Sequence, residues 1–215
     1  MVPVLYHCAD ARSFRPLWAL EELGLAYELK LLPFPPRVRQ PDYLAENPLG
    51  TIPLLVDGAT RMTESAAIVQ YLATRDGPTS LSVEPGDPAY GAWLNGLHLG
   101  EATLTFPQTL VLRYSRLEPP ERRSPQVTDD YARWFMSRLK ALEARLSEGD
   151  YWCAGRFTAA DISVGYALLL AGTLGLHARM SPAVLAYWDR LQTRPGFQAA
   201  KAAQGAGDAP SWQAG

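Results

Sequence analysis

The sequence contains few of the residues that build disulfide frameworks and metal centres. Its 215 residues include two cysteines and three histidines. Cys8 and Cys153 stand far apart in the chain and form neither a C-x-x-C pair nor a zinc-ligand spacing, which excludes a small disulfide-stapled fold. We therefore expect two free thiols, a reducing and hence cytoplasmic location, and no bound metal.

An excess of charge of one sign and long apolar runs are also lacking. The formal net charge is −2, so the sequence offers no electrostatic basis for binding nucleic acid or an anionic membrane. No segment approaches the roughly 18 uninterrupted apolar residues of a membrane span, and the first residues lack the basic segment and apolar run of a secretory signal. With 47% hydrophobic and 20% charged residues, the composition is that of an ordinary globular protein.

What the sequence does contain is a turn, a strand and a helix start in close succession. The turn Asn47–Thr51 leads through Ile52 and Pro53 into a short apolar strand, and a helix begins at Glu64-Ser65. At an X-Pro linkage the cis form lies only about 0.5–1 kcal/mol above trans. A cis Pro53 would turn the N–H and C=O of Ile52 outward, where an extended peptide can pair with them, and the helix start offers N–H groups to a carboxylate. The spacing predicts a receptor for a small anionic peptide, although a strand start and a helix cap explain each feature taken singly.

The first third of the chain predicts a small α/β domain. The expected strands are Val2–Tyr6, Tyr27–Leu32, Ile52–Val56 and Thr60–Met62, and the expected helices are Ser13–Leu23, Asp42–Glu46 and Glu64–Arg75. Proline and glycine residues over 78–87 mark a linker, which bounds the first domain at residues 1–77.

Beyond the linker, residues 88–203 show no strand alternation and predict an all-helical domain. Two long helices are expected, at Ala89–Arg116 and Thr128–Ser147. Pro107 should kink or break the first of them. Thr158 and Asp161 have the spacing of a capping box, which predicts a further helix start. Residues 204–215 are rich in glycine and alanine, and we expect a tail that is poorly ordered or laid along the surface.

These motifs together resemble a known family. NPLGTIPLL and TESAAIVQYLA, residues 47–55 and 63–73, are similar to the glutathione-binding half of the cytosolic glutathione S-transferases. Residues 4–32 resemble the first βαβ unit of that fold, residues 156–171 its sixth helix and residues 190–200 its C-terminal helix pair. The resemblance extends over nearly the whole chain. It implies a thioredoxin-like βαβαββα domain followed by an all-helical domain.

The resemblance also implies that the protein stabilises the thiolate of glutathione, with donors from the loop between the first strand and the first helix. The similarity is closest to bacterial and fungal transferases that carry Ser-Arg-Ser-x-Arg in this loop, and Ala11 replaces the first serine of that pattern. The substitute catalytic donors are Arg12, through its guanidinium or backbone N–H, and Ser13, through its hydroxyl. The alternatives are an exposed cation or a partner of Asp10 for Arg12, and a helix N-cap for Ser13.

Two further residues of this region are candidates. Tyr6 matches the tyrosine of tyrosine-type classes loosely, and Cys8 could form a mixed disulfide with glutathione. Both residue types at a strand also suit buried packing positions.

By the same resemblance, the backbone of Ile52 before Pro53 would take the cysteinyl part of glutathione. Glu64 and Ser65 would hold its γ-glutamyl end, with the Ser65 hydroxyl and N–H taking the carboxylate. A basic residue before the short second helix would face the glycyl carboxylate. Our choice is Arg39, with Arg37 and Gln40 as alternatives, and a solvated surface position explains these three equally well.

The second substrate should be an apolar electrophile, because the helical domain offers aromatic and aliphatic groups. The candidate pocket residues are Trp93, Leu97, Phe106 and Tyr114, each of which also fits a core position. His98 and Glu101 share a helix face and resemble a His-x-x-Glu feature of the Ser-Arg-Ser group, for which interdomain packing is the alternative.

The resemblance implies a glutathione transferase that conjugates glutathione to a hydrophobic electrophile. Two alternatives stay open: a glutathione-dependent disulfide reductase or peroxidase on the same fold, and a non-catalytic protein that binds glutathione or a partner. A homodimer is expected from the resemblance as well.

Overall fold

Four short strands form a mixed sheet in the order β2-β1-β3-β4. The strands are β1 Val4–His7, β2 Glu28–Leu31, β3 Leu54–Asp57 and β4 Thr60–Met62, and the helices among them are α1 Phe14–Glu22, α2 Pro36–Arg39, α3 Tyr43–Glu46 and α4 Ser65–Thr74. β1 pairs with β2 in parallel, and β3 pairs antiparallel with both β1 and β4. This is the predicted thioredoxin-like βαβαββα arrangement. The computed structural model describes residues 2–205 of the chain.

The chain divides into two compact units. One comprises the residues up to Thr79 together with the segment from Arg194, and the other comprises Ser80–Thr193. The last helix, α10 at Pro195–Ala203, thus belongs to the unit that contains the sheet, whereas the sequence places it in the helical domain. Residues 206–215 of the predicted tail lie outside the described residues.

Contacts along α1 explain why α10 belongs with the sheet. The ring of Phe197 packs edge-on against Phe14 and Trp18, with ring centroids 5.4 and 5.0 Å apart. The guanidinium of Arg194 donates two hydrogen bonds to the Glu22 carboxylate, each 2.7 Å long. These partners are distant in the chain, so the helical pattern of the sequence gives no sign of which unit α10 joins.

The second unit is helical throughout. Its α-helices are α5 Tyr90–His98, α6 Phe106–Leu112, α7 Pro125–Leu146, α8 Ala159–Thr173 and α9 Pro182–Gln192, and π-helical turns at Leu99–Thr105 and Arg113–Leu117 follow α5 and α6. Pro107 does not end the helical path: it is the second residue of α6, directly after the π-helical turn Leu99–Thr105. The Thr105 hydroxyl donates to the Gly100 carbonyl at 2.7 Å, a contact that supports the wider turn.

The predicted capping box at the start of α8 is confirmed. The Thr158 hydroxyl accepts from the Ala160 N–H at 3.3 Å, and the Asp161 carboxylate accepts from the Thr158 N–H at 2.8 Å. The fully buried Asp161 also accepts from the Trp152 N–H and the Tyr187 hydroxyl, both at 2.8 Å. The carboxylate therefore joins a loop and α9 to the helix start, which capping alone does not require.

Candidate functional site

The turn before Ile52 is braced by two buried side chains that converge on one carbonyl. The amide of Asn47 and the hydroxyl of Tyr43 each donate to the Thr51 carbonyl at 2.8 Å. The Asn47 side-chain oxygen accepts from the Leu49 N–H at 3.2 Å. The Ile52–Pro53 peptide bond that follows is cis, as is Phe34–Pro35. The turn thus fixes where the backbone of Ile52 lies.

The backbone of Ile52 is open to a partner. Its side chain is 8% exposed and packs in a cluster with Ala11 and Tyr43. Neither its N–H nor its C=O hydrogen-bonds to any other residue within 2–205. A buried side chain with an unpaired backbone is the arrangement that strand addition requires.

Gly50 brings the second helix close to this turn. Its φ is +61°, and a Cβ at this position would lie 2.7 Å from the Cβ of Arg37. The backbone of Arg37 therefore lies against the turn that leads into Ile52. Arg39 and Gln40, at the end of α2, are exposed.

The start of α4 has no side-chain cap. Glu64 occupies the N-cap position with extended backbone, is exposed, and makes no capping hydrogen bond. The first N–H groups of the helix are therefore available to an anion. Ser65 is 2% exposed, and its hydroxyl oxygen accepts from the Arg15 guanidinium at 3.1 Å.

Arg15 was not among the predicted site residues. Its side chain has no exposed surface, although it lies in the first turn of α1 and carries a charge. Because Arg15 donates to the Ser65 oxygen, the hydroxyl proton of Ser65 remains free to donate to a carboxylate. Arg15 is the last residue of the Ser-Arg-Ser-x-Arg pattern, but its contact with Ser65 depends on the packing of α1 against α4, which that pattern does not indicate.

The hydroxyl of Ser13 is committed to its own loop. It accepts from the Cys8 N–H at 3.2 Å and donates to the Cys8 carbonyl at 3.3 Å. A hydroxyl has one proton, so this bond leaves none for a thiolate. The predicted role of the Ser13 hydroxyl as thiolate donor is therefore disfavoured, and so is its role as a cap, because it makes no capping bond.

The other candidate residues in and beside this loop differ in how deeply they are buried. Ala11 is 7% exposed, and Arg12 is half-buried beside it. Tyr6 lies in the core, with its ring centroid 5.4 Å from that of Tyr43. Cys8 is fully buried, its thiol donates to the Pro33 carbonyl at 3.7 Å, and burial raises its pKa to about 12. A thiol in this state is a poor partner for a mixed disulfide.

A network of four residues that was not predicted joins this loop to the end of α10. The amide of Gln204 bonds to His7 and to Asp10, and the ammonium of Lys201 donates to Asp10 at 2.7 Å. His7 is fully buried, and burial lowers its pKa to about 4, so it is neutral at physiological pH. Gln204 falls in the predicted tail, where composition indicated disorder instead of a buried contact.

The predicted electrophile-pocket residues differ in their exposure. Trp93 and Leu97 are 1% exposed, and the indole N–H of Trp93 donates to the Leu81 carbonyl, so both are core residues of the helical unit. Phe106 is 53% exposed and Tyr114 half-buried. His98 is exposed at the end of α5, and Glu101 is half-buried in the π-helical turn behind it.

Residues 2–205 lack both metal-binding clusters and membrane-spanning helices. This part of the chain has no group of three or more histidine, cysteine, aspartate or glutamate residues able to hold a metal ion. Its helices are all too short or too polar to cross a bilayer.

Comparison with known proteins gives a consistent set of relatives. Residues 11–75 match the family described as the glutathione S-transferase N-terminal domain. Glutathione S-transferase 3 of Zea mays is 32% identical over 197 residues, which cover 86% of each chain. A Methylococcus capsulatus glutathione transferase structure aligns with a TM-score of 0.82 at 28% identity, covering 95% of this chain and 99% of that one. A sphingomonad glutathione S-transferase, solved in complex with glutathione, aligns with a TM-score of 0.81 at 25% identity, covering 94% and 99%.

Proposed function

Since this chain belongs to the glutathione S-transferase family and is a glutathione transferase, we propose that it binds glutathione along Ile52 and the start of α4 and transfers it to an apolar electrophile. The observation that carries this proposal is the pairing of an unbonded Ile52 backbone with an uncapped helix start. An extended tripeptide would use the first as a strand partner and the second as a carboxylate receptor.

The carboxylate end has the strongest support. Ser65 can donate its hydroxyl proton outward because Arg15 occupies its oxygen from behind. The buried guanidinium of Arg15 contacts Ser65, the first residue of α4, and so places positive charge near the N-terminus of that helix. Glu64, exposed at the N-cap, is positioned to accept from the ammonium of the γ-glutamyl group.

At the other end, we propose that Arg37 or Arg39 meets the glycyl carboxylate, with Gln40 beside it. The contact of Arg37 with Gly50 supports Arg37, because it ties the helix to the turn that precedes Ile52. Arg39 and Gln40 are exposed at the end of α2, where a ligand can reach them.

For the thiolate we propose Arg12 as the donor. The hydroxyl at the serine position is absent in Ala11, and that of Ser13 is occupied. A guanidinium or a backbone N–H near the start of α1 would favour the anion, helped by the helix dipole. Lowering the thiol pKa by one unit corresponds to about 1.4 kcal/mol, which one charge-assisted hydrogen bond supplies.

The electrophile and the assembly are further parts of the proposal. We propose a hydrophobic second substrate, since Phe106 exposes an aromatic ring on the helical unit. We also propose that the protein acts in the cytoplasm as a homodimer. Light scattering of the purified protein measures the assembly, and a monomer would contradict that part.

The proposal is tested with glutathione affinity and with turnover of a chlorodinitrobenzene-type electrophile. Ser65→Ala should weaken glutathione binding by about 1–3 kcal/mol, because a bound carboxylate loses its partner. Arg12→Ala should reduce kcat while binding survives. Ser137→Ala, at an exposed serine of α7, is the control for Ser65→Ala.

Each part of the proposed function has a result that would contradict it. Wild-type affinity in Ser65→Ala would remove Ser65 from the site, and wild-type turnover in Arg12→Ala would refute Arg12 as donor. Turnover of a glutathione mixed disulfide without conjugation of the electrophile would contradict the proposed reaction in favour of disulfide reduction.

A further inference from the structure

The residue directly after the last helix reaches the loop in which the proposed thiolate donors lie. We propose that Gln204 is a positioning residue, which holds loop 8–13 in the conformation that presents its donors to the glutathione sulfur. This inference rests on the proposed function of that loop. Gln204 does not itself contact the ligand in this account.

The amide of Gln204 uses both of its ends. Its oxygen accepts from the His7 ring nitrogen Nε2 at 3.1 Å and from the Asp10 N–H at 3.2 Å. Its nitrogen donates to the Asp10 carboxylate oxygen Oδ1 at 2.7 Å. Gln204 is 3% exposed, so these bonds form away from water, where an unpaired polar group is costly.

The hydrogen-bond direction at His7 is fixed by its partner. An amide oxygen only accepts, so Nε2 of His7 must carry the proton. The other ring nitrogen, Nδ1, is buried without a hydrogen bond to any residue described. His7 therefore serves the network in its neutral form, in agreement with its lowered pKa of about 4.

Asp10 is the residue of loop 8–13 to which Gln204 makes two hydrogen bonds. Its φ is +52°, in the left-handed region that non-glycine residues seldom occupy. Such a conformation persists when surrounding contacts hold it. Gln204 bonds both to the N–H and to the side chain of this one residue, so it stabilises the unusual turn directly.

The turn at Asp10 sets the direction of the residues that follow. Ala11 donates its N–H to the Cys8 carbonyl at 3.2 Å, and Arg12 comes next, before α1 begins. The N–H groups and the Arg12 guanidinium of this segment are the proposed thiolate donors, because the Ser13 hydroxyl already donates to the Cys8 carbonyl. A change in the φ of Asp10 would swing them away from their present direction.

The negative charge of Asp10, beside Gln204, is paired with the positive charge of Lys201. The Lys201 ammonium donates to the same Asp10 oxygen that Gln204 contacts and lies 5.8 Å from the centre of the Phe14 ring. The charged or titratable groups at the network are His7, Asp10 and Lys201, with Arg12 two residues from Asp10. A neutral amide fits here because a carboxylate at position 204 would face Asp10 with like charge.

The test replaces Gln204 by methionine, which keeps the length of the side chain and removes all three bonds. Gln204→Met should raise the pKa of the bound glutathione thiol by about one unit, read from the pH profile of kcat/KM for the electrophile at saturating glutathione. A rise of one unit in the thiol pKa lowers the thiolate fraction at a fixed pH by up to about tenfold, so kcat/KM at neutral pH should fall by up to about tenfold. Binding of S-methylglutathione, which has no thiol, should change less than threefold.

Gln198→Met, at an exposed glutamine of α10, is the matched control and should keep the wild-type pH profile of kcat/KM. Gln204→Asn retains the amide but is one methylene shorter, and it serves if the methionine variant does not fold. It should shift the thiol pKa in the same direction.

The inference is overturned if a folded Gln204 variant keeps the wild-type thiol pKa, or if S-methylglutathione binding is lost along with turnover. A wild-type protein that neither binds nor turns over glutathione would instead defeat the proposed function. The two failures are thus distinguishable in one set of measurements.

Discussion

At the scale of single residues, the least expected finding is a charged side chain with no exposed surface. Arg15 donates to the hydroxyl oxygen of Ser65 across the interface of α1 and α4. Taking a guanidinium out of water is costly unless it is paired. Because the guanidinium occupies the hydroxyl oxygen of Ser65, we assign Arg15 a positioning role behind Ser65.

Arg15→Met is expected to weaken glutathione binding by about 1.5 kcal/mol, roughly tenfold, because Ser65 loses the donor that orients it. Isothermal titration calorimetry measures the affinity. Arg15→Lys keeps the charge and should lose less. If the folded methionine variant binds like the wild type, Arg15 supports only the packing of the two helices.

At the scale of elements, the turn before Ile52 depends on a buried asparagine. Asn47→Ala removes the bonds to the Thr51 carbonyl and the Leu49 N–H. We expect a loss of about 1–3 kcal/mol in the free energy of unfolding, accompanied by weaker glutathione binding. Urea unfolding and calorimetry measure the two effects. Asn95→Ala, at the exposed asparagine of α5, should leave both unchanged, and a stable Asn47→Ala variant would contradict this account of the turn.

The start of α8, like the turn before Ile52, depends on one buried side chain, that of Asp161. Asp161→Asn places an NH2 group or a neutral oxygen where two N–H and two hydroxyl donors now converge. We expect a loss of about 3 kcal/mol in unfolding free energy, against about 1 kcal/mol for Thr158→Ala, which removes the cap and one of the four donors to Asp161. Thermal unfolding compares the two, and equal losses would mean that the carboxylate acts only as a cap.

At the scale of the whole molecule, the buried His7 predicts how stability depends on pH. Its pKa is lowered from 6.5 to about 4 in the folded state, first by burial. Between these two values the unfolded chain binds a proton that the folded chain does not. Folding stability should therefore fall as pH decreases from 6.5 to 4, by about 3 kcal/mol from this group, with no such loss above pH 6.5.

Urea unfolding at a series of pH values measures this dependence. His7→Gln has no titrating group and should show a shallower decline across the same window, so the difference between the two curves isolates His7 from the carboxylates. Parallel curves for the two proteins would contradict the prediction.

Much of the fold could be predicted because its signals are local. The strand and helix patterns of the first domain, the capping box at Thr158 and the helical character of residues 88–193 all follow from neighbouring residues. The π-helical turn before Pro107 could not be predicted. A proline within a helical segment predicts a disturbance of the helix, but it does not predict the form that the backbone takes there.

The sequence by itself determined the family, the order of the elements and the region where an anionic peptide would bind, because turn, strand and helix-start preferences act within a few residues. Only the tertiary structure decided which side chains act there. It buried Arg15 behind Ser65, closed the Ser13 hydroxyl onto Cys8 and brought Gln204 to Asp10 from 194 residues away. These contacts depend on the packing of α10 and α4 against α1, and packing between distant segments leaves no periodicity in the chain that makes it.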